Sequence, residues 1–126
     1  MKRQLFLDCD GVLADFDAGA RKLLGMSPAE FELRHGKSAF WRELARTEGF
    51  YLHLSLTQDA RALFDAVAHL DPIILTGLPL GTWAAPQKVG WAEKHFPGTR
   101  IITCLARDKH LHMKGADVLV DDRADH

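Results

Sequence analysis

The sequence lacks several features that define common classes of protein. Only two cysteines occur in 126 residues, Cys9 and Cys104, and they lie far apart, which excludes a disulfide scaffold and predicts reduced thiols. No apolar run is long enough to cross a membrane. Basic and acidic residues number 16 and 17 and form no basic stripe, so a nucleic-acid polymer is not an expected partner. No signal-peptide pattern precedes Asp8, and a cytoplasmic location is predicted.

The composition is that of an ordinary globular domain, with 47% hydrophobic and 26% charged residues. Short apolar runs alternate with helical patterns along the chain. The runs predicted as buried strands are QLFLDC, PIILTG, RIITC and ADVLVDD. Helices are predicted within residues 16–56, in TQDARALFDAVAHL after a Thr57 cap, and in TWAAPQKVGWAEKHF. This alternation predicts an α/β fold with a parallel sheet covered by helices on both faces.

Polar residues follow each predicted strand. In strand order these residues are Asp8 and Asp10, Thr76 and Gly77, Lys109, and Asp121 and Asp122. Ligands of open parallel sheets bind beyond the carboxyl ends of the strands, so these side chains are expected at one edge. Crowded carboxylates repel one another unless a cation lies among them, and oxygen ligands favour Mg²⁺ with positions left for phosphate oxygens. The pattern therefore predicts phosphoryl transfer.

These motifs resemble those of the haloacid dehalogenase (HAD) superfamily of Mg²⁺-dependent phosphatases. DCDGVL resembles its first motif, ILTG its second, and VLVDD its fourth, the acidic pair. The order and spacing of EGFYLHL, ILTGLP, QKVGWAEKHFP, RDKHL and ADVLVDDR are similar to the 5'(3')-deoxyribonucleotidase family over nearly the whole chain. The resemblance implies a HAD-like Rossmannoid core of residues 1–15 and 57–126, with a small helical cap inserted at 16–56. By the same resemblance, more chain is expected after the acidic pair.

The resemblance also implies the reaction and the roles of the acidic residues. The expected activity is hydrolysis of (deoxy)nucleoside monophosphates through an aspartyl-phosphate. Asp8 would be the nucleophile and Asp10 the general acid and base. Asp8, Asp10 and Asp122 would bind Mg²⁺, and Asp121 would support the metal site.

The remaining candidates would bind the substrate. Phosphate would contact Thr76, Gly77, Lys88 and Lys109, with Lys88 placed first and Lys109 second at Asp8. Four aromatic residues of the insert are candidates to stack on a base, with packing inside the cap as the alternative: Phe16, Phe40, Trp41 and Phe50.

Two other functions stay open at this point. One is a HAD phosphatase of another small metabolite, such as a sugar phosphate. The other is a module that binds a phosphate ester without turnover, although the presence of Asp8 and Asp10 ranks it last. The expected partner is a small phosphate ester, with no membrane partner, and a homodimer stays open.

Overall fold

A computed structural model describes residues 3–121 of the protein, which form an α/β fold around a parallel sheet. The four strands are β1 (Leu5–Leu7), β2 (Ile73–Leu78), β3 (Ile101–Leu105) and β4 (Val118–Val120). Their order across the sheet is β3-β2-β1-β4, and every neighbouring pair is parallel. The predicted α/β class and parallel sheet are therefore confirmed.

Helices flank the sheet. The α-helices are α1 (Phe16–Leu24), α2 (Pro28–His35), α3 (Lys37–Arg46), α4 (Ala60–Val67) and α5 (Ala84–His95). Short 3₁₀ helices cover Ala68–Leu70 and Ala106–His112. Helices α1 to α3 lie in the segment predicted as an insert, whose status as a separate cap stays a prediction. None of the helices in residues 3–121 is both long and apolar enough to span a bilayer.

Local sequence signals explain where helix α2 begins, and α1 likewise starts after a capping residue, Asp15. The Ser27 hydroxyl accepts a hydrogen bond from the Glu30 N–H at the start of α2, and Pro28 occupies the first helical position. The predicted Thr57 cap of α4 is wrong, because that helix starts after Asp59. The Thr57 hydroxyl instead donates to the Val12 carbonyl at 2.8 Å, which ties the chain before α4 to the loop after β1.

The core lies mainly between the sheet and the α-helices. All five α-helices contribute apolar residues to the larger core cluster, which includes Leu7 and Ile74 of the sheet. Phe6, Ile73 and Leu75 form a smaller cluster, against which Met113 packs. That cluster contains no α-helical residue within residues 3–121. Helical cover of both sheet faces was expected, and the described part of the chain confirms it for one face.

Candidate active site

The tight turn after β1 places Asp8 and Asp10 in a cleft and places Cys9, which lies between them in sequence, in the core. The N–H groups of Leu13 and Ala14 both donate to the Cys9 carbonyl at 2.9 Å. Gly11 has a φ of 82°, a conformation that glycine adopts without strain. Cys9 is buried in the core, and this burial raises the pKa of its thiol. Asp8 and Asp10 both line a cleft at the carboxyl edge of the sheet.

Asp8 is paired with Lys109. The Lys109 Nζ lies 3.1 Å from the Asp8 Oδ1, and the same oxygen accepts the Cys9 N–H at 2.8 Å. Burial raises the pKa of the Asp8 carboxyl, while the charge of Lys109 opposes the rise. Lys109, and not Lys88, is thus the lysine beside Asp8, while the predicted order of the two lysines at a bound phosphate stays a prediction. Lys109 makes the contact because it lies in the 3₁₀ helix directly after β3, at the carboxyl edge of the sheet.

Lys88 lies on α5 and pairs with Asp10 instead. Its side chain is 1% exposed. The ammonium donates to Asp10 Oδ2 at 2.9 Å, to Thr76 Oγ1 at 2.8 Å and to the Gly77 carbonyl at 2.9 Å. The ring centroid of Tyr51 lies 4.5 Å from the same Nζ. Lys88 thus brings Asp10, which follows β1, together with Thr76 and Gly77 of β2 around one buried charge.

Thr76 and Gly77 differ in their access to the cleft. Thr76 is fully buried inside β2, where it pairs with Thr103, rather than standing at the end of the strand. Gly77 lines the cleft. A Cβ atom at Gly77 would lie 3.0 Å from the Cα of Ala106, so glycine permits the close approach of the second 3₁₀ helix. The predicted phosphate contacts of both residues stay predictions.

The cleft has a volume of about 310 Å³ and combines residues from several elements. Its lining residues are Asp8, Asp10, Trp41, Tyr51, Gly77, Leu78, Pro79, Ala106 and Lys109. A second cavity of about 400 Å³ adjoins it and shares Trp41, Leu78 and Pro79. The second cavity is also lined by Lys37, Ser38 and Leu80. Trp41 therefore stands where the two cavities meet.

Three of the four predicted base-stacking residues pack inside the insert. Phe40 and Phe50 are buried in the larger core cluster. Phe16 is partly buried, and its ring lies between 5.6 and 6.4 Å from those of Phe40, Trp41, Phe50 and Tyr51. These three rings therefore contribute to the apolar core, and packing was the alternative interpretation. Trp41 alone among the four candidates lines the cleft.

Tyr51 is a cleft residue that sequence reasoning missed. Its ring stacks on Trp83 with centroids 5.3 Å apart, and its backbone N–H donates to Gln87 Oε1 at 2.8 Å. The sequence signal for an aromatic residue at the site is the adjacent pair in GFYLHL, of which Phe50 and not Tyr51 is a predicted candidate. The two rings are nearly perpendicular, with Phe50 in the core and Tyr51 over Lys88. Sequence alone does not say which neighbour faces the site.

The donor atoms at this edge suit a hard cation. Asp10 Oδ1 is buried and has no hydrogen-bond partner within residues 3–121. Burial also raises the pKa of the neighbouring Asp8 carboxyl. Carboxylate and carbonyl oxygens are ligands that Mg²⁺ prefers. The described residues contain no group of three or more acidic, histidine or cysteine side chains suited to a metal. Asp122, the predicted third ligand, lies outside the described residues.

Asp121 follows β4 directly, next to Asp8 across the sheet. The Asp8 N–H donates to the carbonyl of Val120 at 2.9 Å, so the ends of β1 and β4 lie side by side. The predicted supporting role of Asp121 at the metal stays a prediction.

A comparison with models of protein families and with curated proteins found no match for this chain.

Proposed function

We propose that the protein is a Mg²⁺-dependent phosphomonoesterase with a HAD-like fold, acting on (deoxy)nucleoside monophosphates. One observation carries the proposal: Asp8 and Asp10 line the same cleft, yet each carboxylate is paired with a different lysine, Lys109 and Lys88. Different environments are what allow two neighbouring carboxylates to take different catalytic roles.

In the first step an oxygen of Asp8 attacks the substrate phosphorus. Both polar contacts of this carboxylate within residues 3–121 fall on Oδ1, so Oδ2 is the attacking oxygen. The bond between phosphorus and the ester oxygen breaks, and Asp10 gives that oxygen a proton. Lys88 donates to Asp10 Oδ2, while the buried Oδ1 has no hydrogen-bond partner within residues 3–121. The Lys109 ammonium offsets the negative charge that gathers on the phosphoryl oxygens.

In the second step water attacks the phosphorus of the aspartyl-phosphate. Asp10 is now a carboxylate and takes a proton from the water as it attacks. The bond between phosphorus and Asp8 Oδ2 breaks, inorganic phosphate leaves, and both side chains return to their starting states. Each step therefore uses one of the two acids as the group bonded to phosphorus and the other to move a proton.

The Asp8 carboxylate and the Asp10 carbonyl would hold the Mg²⁺, together with Asp122. When bound, the ion neutralises charge on the phosphoryl oxygens and orients them for in-line attack. Support for the ion comes from the oxygen-only donors and from the unpartnered, buried Asp10 Oδ1.

The adjoining cavities support a mononucleotide as substrate. Phosphate would lie near Asp8 and Lys109, and the rest of the molecule would extend past Trp41 into the second cavity. An indole ring at the junction can stack on a base. A second candidate is a smaller ester such as a sugar phosphate. The observation in its favour is that Phe16, Phe40 and Phe50 pack inside the insert and leave fewer rings for a base.

The test is phosphate release from a panel of nucleoside monophosphates and sugar phosphates, with Mg²⁺ and with a chelator. We expect Mg²⁺-dependent release, fastest from nucleotides and lost in Asp8→Asn. Asp17→Asn, which removes an exposed ion pair with Arg21, is the matched control and should keep full activity. A sugar phosphate as the best substrate would support the second candidate. Tight binding of phosphomonoesters without any release would overturn both and leave a binding module.

A further inference from the structure

Lys88 has no ammonium proton left for a substrate. A lysine ammonium has three donors and no acceptor. All three are used within the protein, on Asp10 Oδ2, Thr76 Oγ1 and the Gly77 carbonyl, at 2.8 to 2.9 Å. The side chain is also almost completely buried. We infer that Lys88 is a positioning residue that orients Asp10 and Thr76 rather than a phosphate ligand, and that Tyr51 holds it in place. The inference rests on the proposed function.

The positioning acts on Asp10 through one oxygen. With Lys88 fixed to Oδ2, the Asp10 carboxyl cannot rotate without breaking a charge-assisted hydrogen bond in a buried site. The orientation of the whole carboxyl, including the buried Oδ1, is thereby fixed. The same ammonium fixes the Thr76 hydroxyl as an acceptor toward α5. Loss of Lys88 would free both groups while leaving Lys109 in place beside Asp8.

The Tyr51 ring shields the Lys88 ammonium from water. Its ring centroid lies 4.5 Å from Nζ, well within the range of a cation–π interaction, and the side chain is buried. Two groups hold Tyr51 itself: Gln87 Oε1 accepts its backbone N–H, and the Trp83 ring stacks on its ring. Gln87 is the neighbour of Lys88 in sequence. The segment after α3 is therefore locked to the start of α5 around the buried charge.

Tyr51 also couples the predicted insert to the chemistry. It lies in residues 16–56, whereas Lys88 lies on α5 and Asp10 follows β1. A displacement of the insert would remove the ring from Lys88 and admit water to the ammonium. Proton transfer by Asp10 would then become less efficient before any phosphate contact was lost.

Lys109 offers the contrast within the same cleft. Its side chain is 16% exposed and lines the cavity, and among residues 3–121 it forms an ion pair with Asp8 alone. Two of its three ammonium donors can therefore turn toward a phosphate. The inference therefore predicts that replacing Lys109 weakens phosphate binding and that replacing Lys88 does not, and this difference tests it.

The first experiment measures the binding of inorganic phosphate by titration calorimetry in the presence of Mg²⁺. Lys109→Met should weaken the affinity by at least about tenfold, because a charge-assisted contact is lost. Lys88→Met should leave it within about twofold, while kcat for a phosphomonoester falls about 100-fold, the lower range for general acid–base catalysis. A tenfold loss of phosphate affinity in Lys88→Met would overturn the inference.

Lys88 is so deeply buried that its replacement can prevent folding, and Tyr51 provides a second pair of variants. Tyr51→Phe keeps the ring and should keep kcat within about twofold. Tyr51→Leu removes it and should lower kcat about tenfold, the range of one desolvated cation–π contact, with phosphate affinity unchanged. An equal loss of kcat in the two variants would show that the hydroxyl is responsible. An unchanged kcat in Tyr51→Leu would show that the ring has no role. Either result contradicts the inference.

A measurement without turnover separates this inference from the proposed function. The ¹H–¹⁵N signal of the Lys88 ammonium should be observable in the wild type and in Tyr51→Phe, because water is excluded, and lost by fast exchange in Tyr51→Leu. If this holds but no phosphomonoester is hydrolysed, the proposed function fails and the Tyr51–Lys88 arrangement stands. If the signal is absent from the folded wild type, the arrangement fails whatever the activity.

Discussion

The Lys109 Nζ lies 3.1 Å from the Asp8 Oδ1, although the two residues come from opposite ends of the chain. Parallel order explains the contact, because the ends of β1 and β3 reach the same edge of the sheet. Burial raises the pKa of the Asp8 carboxyl, and Lys109 is the largest influence opposing that rise. Lys109 therefore favours the charged form of this buried carboxyl, which is the form that the proposed nucleophile needs.

Replacement of Lys109 by methionine should lower kcat/KM about 10- to 100-fold. The variant removes a charge-assisted hydrogen bond worth about 1.5 to 3 kcal/mol. Steady-state kinetics on a nucleoside monophosphate measure the effect. Lys114→Met is the matched control, since Lys114 is an exposed lysine of the same region outside the cleft. Equal rates for Lys109→Met and wild type would remove Lys109 from the site.

Replacement of Asp10 by asparagine should slow poor leaving groups more than good ones. Alkyl esters need a proton on the leaving oxygen, whereas nitrophenyl esters do not, so the loss should be about 10²- to 10⁴-fold for the former and smaller for the latter. The measurement is kcat on a matched pair of esters. A uniform loss across both leaving groups would show that Asp10 does not act as the general acid.

Replacement of Trp41 by alanine should raise KM for nucleoside monophosphates about tenfold, the value of one lost stacking contact of ~1–1.5 kcal/mol. KM for a small alkyl phosphate should not change, because such a substrate does not reach the junction of the two cavities. Trp41→Phe keeps a ring and serves as the control. An unchanged nucleotide KM in Trp41→Ala would argue for the smaller substrate.

Stability should decrease on the acid side because of His95. Its Nε2 atom is buried without a hydrogen-bond partner in the described part of the chain, and its ring packs on Trp91. Burial, with Lys94 and Arg61 nearby, lowers the pKa of His95 below its ordinary 6.5. The folded state thus favours the neutral ring, and its contribution is complete above about pH 6.5 and lost as the pH falls through the lower folded value.

Urea unfolding at several pH values checks this expectation. His95→Gln should flatten the dependence of the unfolding free energy on pH below about pH 6.5, the ordinary pKa of histidine. His69→Gln, at an exposed position, should keep the wild-type slope. The same slope in His95→Gln and wild type would assign the acid sensitivity to other groups.

The strands and the first acidic residues could be predicted because their signals are local. QLFLDC and PIILTG are short apolar runs that end in polar residues, and parallel order then brings those ends together. Ser27 and Pro28 are a local signal of the same kind, and α2 begins at them. Thr57 was misplaced because its hydroxyl found a partner in Val12, which only the folded chain brings close.

The contacts within the site depend on distances that sequence spacing does not encode. Lys88 lies in the middle of α5 and Lys109 shortly after β3, yet both reach this edge of the sheet, where Lys88 is buried against Asp10 and Lys109 lines the cleft beside Asp8. Phe50 and Tyr51 are adjacent and chemically similar, and tertiary packing decides which of them faces Lys88. Local propensity therefore predicts the strands and helices, and tertiary packing decides which side chains contact one another in the site.

The most direct test of the central claim is acid quenching of the enzyme during turnover of a nucleoside monophosphate with Mg²⁺, followed by peptide mapping for a phosphoryl group. The account predicts a phosphoryl group on the peptide that carries Asp8, at its carboxylate, that disappears when substrate is exhausted and never forms in Asp8→Asn. Turnover that proceeds at the wild-type rate in Asp8→Asn, or a phosphoryl group on another residue, would contradict it.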